Sequence, residues 1–366
     1  MRVVMSGGGT AGHVFPAVAV AERLRERGHD VRFIGSATGQ EATLVPDAGF
    51  PFVPVRVASA QTRVSLQTAK ALWMSLVAAR AVRPIVRAAD VVVGIGGYAS
   101  APAIVAARRV RTPIVLIEQN SVPGVVNRVA TRWAVAVATT FEATASRLPS
   151  GTRVLRTGNP VRREIADVTA SRADRRAEAL RAFALDDDRR TVSVFGGSQG
   201  ARQLDRTVAA AIGDLRGRDD IQLLVATGAA HVDEVAPAAA DPGDLLVRVE
   251  GFIDRMDLAL AVTDLAVARA GSGTVSELAV CGVPSILVPY PYATEHHQEA
   301  NGREVERAGG AEVVLEAELT PTAFAERVTA LLDDEPRRAA MTAAMLEWAR
   351  PDADERIADL VTEVAA

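Results

Sequence analysis

Along the chain, short runs rich in valine and isoleucine alternate with longer alanine-rich stretches whose apolar residues recur at helical spacing. Apolar strands separated by helices are the pattern of a parallel sheet covered on both faces. The spacing predicts strands at Arg2–Ser6, Val31–Gly35, Val91–Gly94, Pro113–Ile117 and Ala134–Ala138. It predicts a helix over Pro16–Arg27 with Pro16 in its first turn. The alternation pauses near Gly158–Asn159–Pro160, passes a polar helical stretch from Ser171 to Ala184, and restarts. Strands then follow at Thr191–Phe195, Gln222–Ala226, Leu265–Ala268 and Ser285–Pro289, with a helix over Ala201–Asp214. Two doubly wound α/β domains flanking a cleft are expected, with ligands outside the carboxyl ends of the strands. The domains are drawn at 1–160 and 161–350, and residues 351–366 are expected to form a helix packing back toward the first domain.

Each half opens with a strand, a glycine turn and a helix. Gly7-x-Gly9-x-x-Gly12 fits the dinucleotide fingerprint in spacing and position. That reading also wants an acidic residue about 20 residues on, at the end of the second strand, to hold a ribose. Here the strand ends Phe33–Ile34–Gly35–Ser36 with no carboxylate before Glu41, which weakens a nicotinamide or flavin enzyme without removing it. The second half carries Gly196–Gly197–Ser198–Gln199–Gly200 in the matching place. Glycines let the backbone approach a ligand, and N–H groups at the following helix start favour negative charge. One such turn is equally well a tight connection; two in matching positions favour a phosphate-bearing ligand. His13 follows the first turn at a helix start, where the positive helix end disfavours the imidazolium and leaves a neutral ring able to take a proton. A histidine that only caps its helix or packs on Phe15 is the plain alternative.

Composition narrows the class. The 366 residues suffice for two domains with their own cores, and 49% hydrophobic against 23% charged is a globular balance. A net charge of −4 argues against nucleic acid, whose binders present a basic face. Cys281 is the only cysteine, so no intrachain disulfide or cysteine cluster is expected, and a reducing cytoplasm fits. Met1 leads directly into a strand, so no signal peptide is expected. No apolar stretch approaches the roughly 18–20 residues of a spanning helix, so any membrane contact is expected from the side. Asp-x-Asp occurs only at Asp186/Asp188 and Asp352/Asp354, in helical or loop contexts, which argues against a metal-anchored diphosphate.

Eight segments carry a resemblance. In the first half they are Gly8–Gly9–Thr10–Ala11–Gly12–His13–Val14–Phe15–Pro16, Gly94–Ile95–Gly96–Gly97–Tyr98–Ala99–Ser100, Glu118–Gln119–Asn120 and Gly158–Asn159–Pro160–Val161–Arg162. In the second they are Gly196–Gly197–Ser198–Gln199–Gly200–Ala201, Phe252–Ile253–Asp254–Arg255–Met256, Arg269–Ala270–Gly271–Ser272–Gly273–Thr274–Val275–Ser276–Glu277 and His297–Gln298-x-x-Asn301. In this order they resemble the MurG family, the UDP-N-acetylglucosamine–N-acetylmuramyl-(pentapeptide) pyrophosphoryl-undecaprenol N-acetylglucosamine transferases. Two positions depart from the family pattern: Ile117 stands where many members carry histidine, and Ala11 replaces a common glycine.

The resemblance implies the GT-B fold, two Rossmann-like doubly wound parallel-sheet domains with an interdomain cleft. It implies inverting transfer of N-acetylglucosamine (GlcNAc) from UDP-GlcNAc to the C4 hydroxyl of the muramic acid of lipid I, giving lipid II. The second domain would bind UDP-GlcNAc. Ile253 would meet the uracil through its backbone and Glu277 the ribose hydroxyls. Ser198, Ser272, Gly273 and Thr274 would meet the diphosphate, with Arg269 offsetting leaving-group charge. Gln298 would meet the sugar together with Asn120 of the first domain, and Arg162 would also reach the donor. Thr10, Ala11 and Gly12 are assigned to the substrate pair, at the acceptor's diphosphate and beside the donor. Gly96, Gly97, Tyr98 and Asn127 would hold the acceptor. His13 is the expected base, with Glu118 the alternative.

No cofactor is required by this reading, a divalent cation at most stimulating, and no metal ligand is assigned. The acceptor's polyprenyl tail implies peripheral contact with the cytoplasmic face of the bacterial cell membrane, and company with other cell-wall synthesis proteins. The helix predicted over Leu66–Arg83 supplies a candidate surface in Leu66, Lys70, Trp73, Leu76, Val77 and Arg80; a core-packing helix with basic ends is its plain alternative. A GT-B enzyme on a soluble acceptor and the epimerase that shares fold and donor remain competing readings.

Overall fold

The computed structural model describes residues 1–57, 66–197 and 200–366, with the backbone alone at residues 11 and 66–72. They form two compact units, 1–162 with 350–366, and 163–349. The first unit contains β1 (Arg2–Gly7), β2 (Asp30–Ser36), β3 (Phe52–Val55), β4 (Val91–Gly96), β5 (Ile114–Glu118), β6 (Ala136–Thr139) and β7 (Val154–Arg156). The second contains β8 (Arg190–Phe195), β9 (Ile221–Ala226), β10 (Leu246–Glu250), β11 (Leu265–Ala268), β12 (Ser285–Leu287) and β13 (Ala311–Val313). Among the described residues these make two parallel sheets, ordered β3-β2-β1-β4-β5-β6-β7 and β10-β9-β8-β11-β12-β13. Each is a doubly wound sheet, and the strand order reverses beside β1 in one and beside β8 in the other. A crevice opens at the carboxyl end of such a switch point. Gly7–Gly12 leaves from the first of those strand ends and Gly196–Gly197 from the second.

The apolar runs exist because both faces of each sheet are covered. Val3, Met5, Val91, Val93, Val115 and Ile117 point to one side of the first sheet. There they meet Val14, Ala17, Val20 and Leu24 of helix α1 (Ala11–Glu26) and Ile357, Leu360 and Val361 of the C-terminal helix Ala353–Ala365. After β2 the chain forms the short helix α2 (Glu41–Asp47). Val4, Val92, Ile114 and Leu116 point to the other side of the sheet. They meet Ala79, Val82 and Val86 of helix α3 (Leu66–Arg87) and Ala103, Ile104 and Ala107 of helix α4 (Ala101–Val110). Ion pairs Arg23–Asp354 at 3.0 Å and Arg27–Asp359 at 2.7 Å fasten the C-terminal helix to α1. Where the chain returns, a Cβ on Gly158 (φ 87°) would fall 2.4 Å from Arg350 Cβ, so this position tolerates no side chain.

Helix boundaries differ from the expectation at three places. Helix α1 begins at Ala11, not Pro16, because Thr10 takes the N-cap and its carbonyl accepts from His13 and Val14 N–H at 3.0 and 3.2 Å. Pro16 then lies in the second turn and forgoes only the bond to the Gly12 carbonyl. Helix α3 runs on through Pro84 to Arg87, since Val82 and Val86 on either side are buried in the core. The expected helix Ala201–Asp214 is an α-helix over Arg202–Ala211 that tightens to a 3₁₀ turn over Ile212–Leu215.

Candidate active site

At the end of β1, Gly7, Gly8 and Gly9 have φ of 152°, 146° and 104°. A Cβ on Gly7 would sit 2.9 Å from Gly96 O, and one on Gly97 would sit 2.7 Å from Gly8 O. The turns after β1 and β4 therefore pack backbone on backbone, which only glycine permits. Thr10 does not cap the helix with its side chain; instead its Oγ1 lies 3.0 Å from His13 Nδ1. His13 is half-buried, while Thr10 and Gly12 are exposed; for Ala11 only the backbone is described. Arg162 lies with its guanidinium carbon 5.2 Å from the centre of the Phe15 ring, two residues beyond His13 on the same helix.

Glu118 closes β5 and is 3% exposed. Its Oε1 accepts from Asn120 N–H at 3.0 Å, and its Oε2 accepts from Gly124 N–H at 3.0 Å and from Asn127 Nδ2 at 2.9 Å. Burial pushes its carboxyl above the ordinary value, against these hydrogen bonds, which favour the anion. The carboxylate thus ties the loop 119–124 and the start of helix α5 (Val125–Ala130) to the strand. Asn127, expected against the acceptor, is itself 2% exposed and also donates to Ile117 O at 2.9 Å, beneath Gly96. Its side chain is turned inward as a support for the Gly96 turn. Gly96 and Gly97 have φ of 93° and 70°, and Tyr98, half-buried, opens the following 3₁₀ turn.

In the second unit, Gly197 and Gly200 have φ of 84° and 72°, and a Cβ on Gly200 would fall 2.5 Å from Thr227 O. Ser198 and Gln199 lie outside the described residues. The turn Gly271–Thr274 starts the helix Ser272–Val280, with Gly271 extended at the N-cap and Val275 N–H bonded to its carbonyl at 2.9 Å. Ser272 is buried, and Gly273, Thr274 and Glu277 are half-buried. Asn301, fully buried, donates Nδ2 to Ala270 O at 3.2 Å and so braces this turn from behind. Gln298 Oε1 accepts from Tyr290 N–H at 2.9 Å. Ile253 is half-buried in the loop between β10 and the helix Met256–Val262.

Arg269 differs from its expected place. It is 6% exposed, donates to Val288 O at 3.2 Å and Pro289 O at 3.3 Å, pairs with Glu316 and lies over the Tyr290 ring. Its charge is engaged inside the unit, where it ties the ends of β11 and β12 together. The paired aspartates are also engaged locally: Asp186 accepts from Asp188 N–H at 3.2 Å and Asp352 pairs with Arg356 at 2.7 Å.

Sequence reading does not single out Asp205, in the helix behind the second glycine turn. It is fully buried, and among the described residues neither carboxylate oxygen meets a partner at full hydrogen-bond geometry. Burial pushes its carboxyl up to about 7, against the Ala201 backbone N–H, with the Glu234 carboxylate adding to the rise and Arg269 opposing it. Because the folded-state value is raised, the native protein holds a proton that the unfolded chain has released. Stability contributed by this group is therefore present below about pH 4 and lost as pH rises to about 7. Asp205→Asn is expected to remove that dependence and to raise stability at pH 8 by on the order of 2–4 kcal/mol, with little change at pH 4. Urea denaturation at the two pH values checks this; an equal effect at both would defeat it.

On α3, Trp73 (64% exposed), Val77 (44%) and Arg80 form one outward stripe at helical spacing, while Leu76 is half-buried. For Leu66 and Lys70 no side chain is described. No described helix is long and apolar enough to cross a membrane.

Comparison with known proteins agrees with this architecture. Residues 3–139 match the glycosyltransferase family 28 N-terminal domain and residues 191–357 its C-terminal domain. A transferase from Desulforamulus reducens named UDP-N-acetylglucosamine–N-acetylmuramyl-(pentapeptide) pyrophosphoryl-undecaprenol N-acetylglucosamine transferase is 35% identical, over 100% of this chain and 99% of its own. One of the same name from a Nocardioides species is 41% identical over 100% and 98%. Among solved structures, Acinetobacter baumannii MurG superposes with a TM-score of 0.78 at 28% identity, covering 99% of both chains. With full-length identity at this level and both family domains in place, the chain belongs to the MurG family of glycosyltransferase family 28.

Proposed function

We propose that this chain transfers GlcNAc from UDP-GlcNAc to the C4 hydroxyl of the muramic acid in undecaprenyl-pyrophosphoryl-MurNAc-pentapeptide (lipid I), with inversion, to give lipid II for peptidoglycan synthesis. The observation that carries the reading is kinship over the full length, with both glycine turns at the switch points of their sheets. In the first unit, Gly96, Gly97 and Tyr98 hold the acceptor and His13 is the base. In the tautomer protonated at Nδ1, from which Thr10 Oγ1 at 3.0 Å accepts, Nε2 takes the C4 hydroxyl proton. The oxygen then attacks the anomeric carbon as the bond to UDP breaks. Glu118 and Asn127 hold the loop that carries Asn120.

In the second unit, the helix N-terminus at Ser272–Thr274, with Ser198, receives the diphosphate and its leaving-group charge. Glu277 accepts from the ribose hydroxyls, Ile253 meets the uracil through its backbone, and Gln298 meets the sugar. Arg269 acts through the loop it braces. Asn120 and Arg162 are further donor contacts, and Thr10, Ala11 and Gly12 line the base. The stripe Trp73, Val77 and Arg80 meets the cytoplasmic membrane surface, an apolar anchor beside a cation suited to anionic headgroups.

Radiolabelled UDP-GlcNAc offered with lipid I in vesicles and with a short-chain lipid I analogue tests the reading. Transfer to both is expected. Trp73→Glu should raise KM for the vesicle-borne acceptor and leave the soluble analogue unchanged. Failure to label either, with labelling of small aglycones, would favour the soluble-acceptor reading instead.

A further inference from the structure

Glu41, the first residue of α2, is 1% exposed although it carries a carboxylate. Its Oε2 accepts from Gly9 N–H and its Oε1 from Ser36 N–H, both at 2.8 Å. Among the described residues no cation pairs with it. Among the described residues its oxygens meet backbone amides alone, the kind of cradle that ordinarily takes an anionic ligand. Three glycines leave room for it. A Cβ on Gly8 would fall 2.2 Å from its carboxyl carbon, one on Gly39 2.1 Å from its Oε2, and one on Gly35 2.7 Å from its Cγ. The first carboxylate after the end of β2, near where a dinucleotide enzyme would reach for a ribose, is turned inward onto the glycine turn.

The same turn leads directly to Thr10 at the N-cap of α1 and so to His13, and Gly8 O is in close approach to Gly97 at the head of the Gly96–Tyr98 turn. We infer that Glu41 is a positioning residue: its carboxylate pre-fills the Gly9 amide and sets the glycine turn that places both His13 and the acceptor turn. The inference rests on the proposed role of His13 and deepens it. The Gly9 N–H is thereby unavailable to a substrate phosphate, and the first glycine turn orients the base instead of cradling the diphosphate through that amide. A loop released from this brace misplaces the base, and a displacement near 1 Å costs on the order of 10²-fold in rate.

The test compares Glu41→Gln, Glu41→Ala, Gly39→Ala and the Gly39→Ala/Glu41→Ala double variant in the full-length enzyme. Gly39→Ala displaces the carboxylate by its methyl group without removing it and touches no proposed substrate residue. Each single variant is expected to lower kcat about 10- to 100-fold while KM for UDP-GlcNAc stays within about twofold. The double variant should be no worse than Glu41→Ala, because the group the methyl displaces is gone. Full kcat in Glu41→Ala, or multiplying effects of the two substitutions, would overturn the inference. Should the Glu41 variants unfold before assay, Gly39→Ala decides alone, with reduced kcat at native melting temperature expected and unchanged kcat contrary. His13→Ala in parallel separates the two ideas. Full turnover there, with impaired Glu41 variants, removes the base and keeps the brace on the Gly96–Tyr98 turn; no turnover there, with active Glu41 variants, removes the brace and keeps the base.

Discussion

His13→Ala is expected to lower turnover by about 10²–10⁴-fold, the usual worth of a positioned general base. The affinity for UDP-GlcNAc should hardly move, since the proposed contacts to its nucleotide lie in the second unit. Single-turnover transfer with saturating donor measures the first quantity, and calorimetric titration of UDP-GlcNAc the second. The reason for expecting a large effect is local. His13 stands in the first turn of α1, so its ring is carried by a rigid helix whose inner face, Val14, Ala17 and Val20, is buried against the sheet. Thr10 Oγ1 at 3.0 Å further restrains the ring through Nδ1. Near wild-type turnover in His13→Ala would remove the base assignment.

Glu118→Ala is expected to destabilise the fold by about 3 kcal/mol, because it strands buried donors. The N–H groups of Asn120 and Gly124 and the amide of Asn127 all lose their acceptor at once. Glu118→Gln discriminates between anchor and base. A glutamine can keep its oxygen toward Gly124 and Asn127 and lose one bond, costing about 1 kcal/mol. As an anchor it then keeps turnover within roughly tenfold of wild type; as the base it would fall as far as His13→Ala. Urea denaturation and the transfer assay on the same preparations give both numbers. A fall of turnover to the His13→Ala level in stably folded Glu118→Gln would transfer the base role to this carboxylate.

Much of the architecture is written in local pattern. The strands predicted from apolar runs are interior strands, and apart from Arg2 in β1 and Asp30 and Arg32 in β2 their side chains are largely buried on both faces, so the run is nearly continuous. The strands that the pattern does not predict, β3, β7, β10 and β13, are the four sheet edges. They are short and partly exposed, with Pro54 within β3, so their residues carry no uninterrupted apolar signal. Helix boundaries near Pro16 and Pro84 depart from the pattern for a related reason. A proline costs one hydrogen bond locally, and burial of the surrounding valines and alanines outweighs it.

By itself the sequence determined the two-domain parallel α/β class, the family and the motifs that bring glycine turns to matching strand ends, because these depend on residue identity and spacing along one element. Only the tertiary structure decided which motif residues face inward. Asn127, Arg269 and Asn301 are as polar as any binding residue, yet their donors meet carbonyls and carboxylates from strands and loops distant in sequence. Likewise Glu41 has no periodic or motif signal; its role comes from three glycines and two amides that β1 and β2 bring together as parallel neighbours. Hydrogen-bond partners distant along the chain are set by packing, and packing is what a linear pattern does not carry.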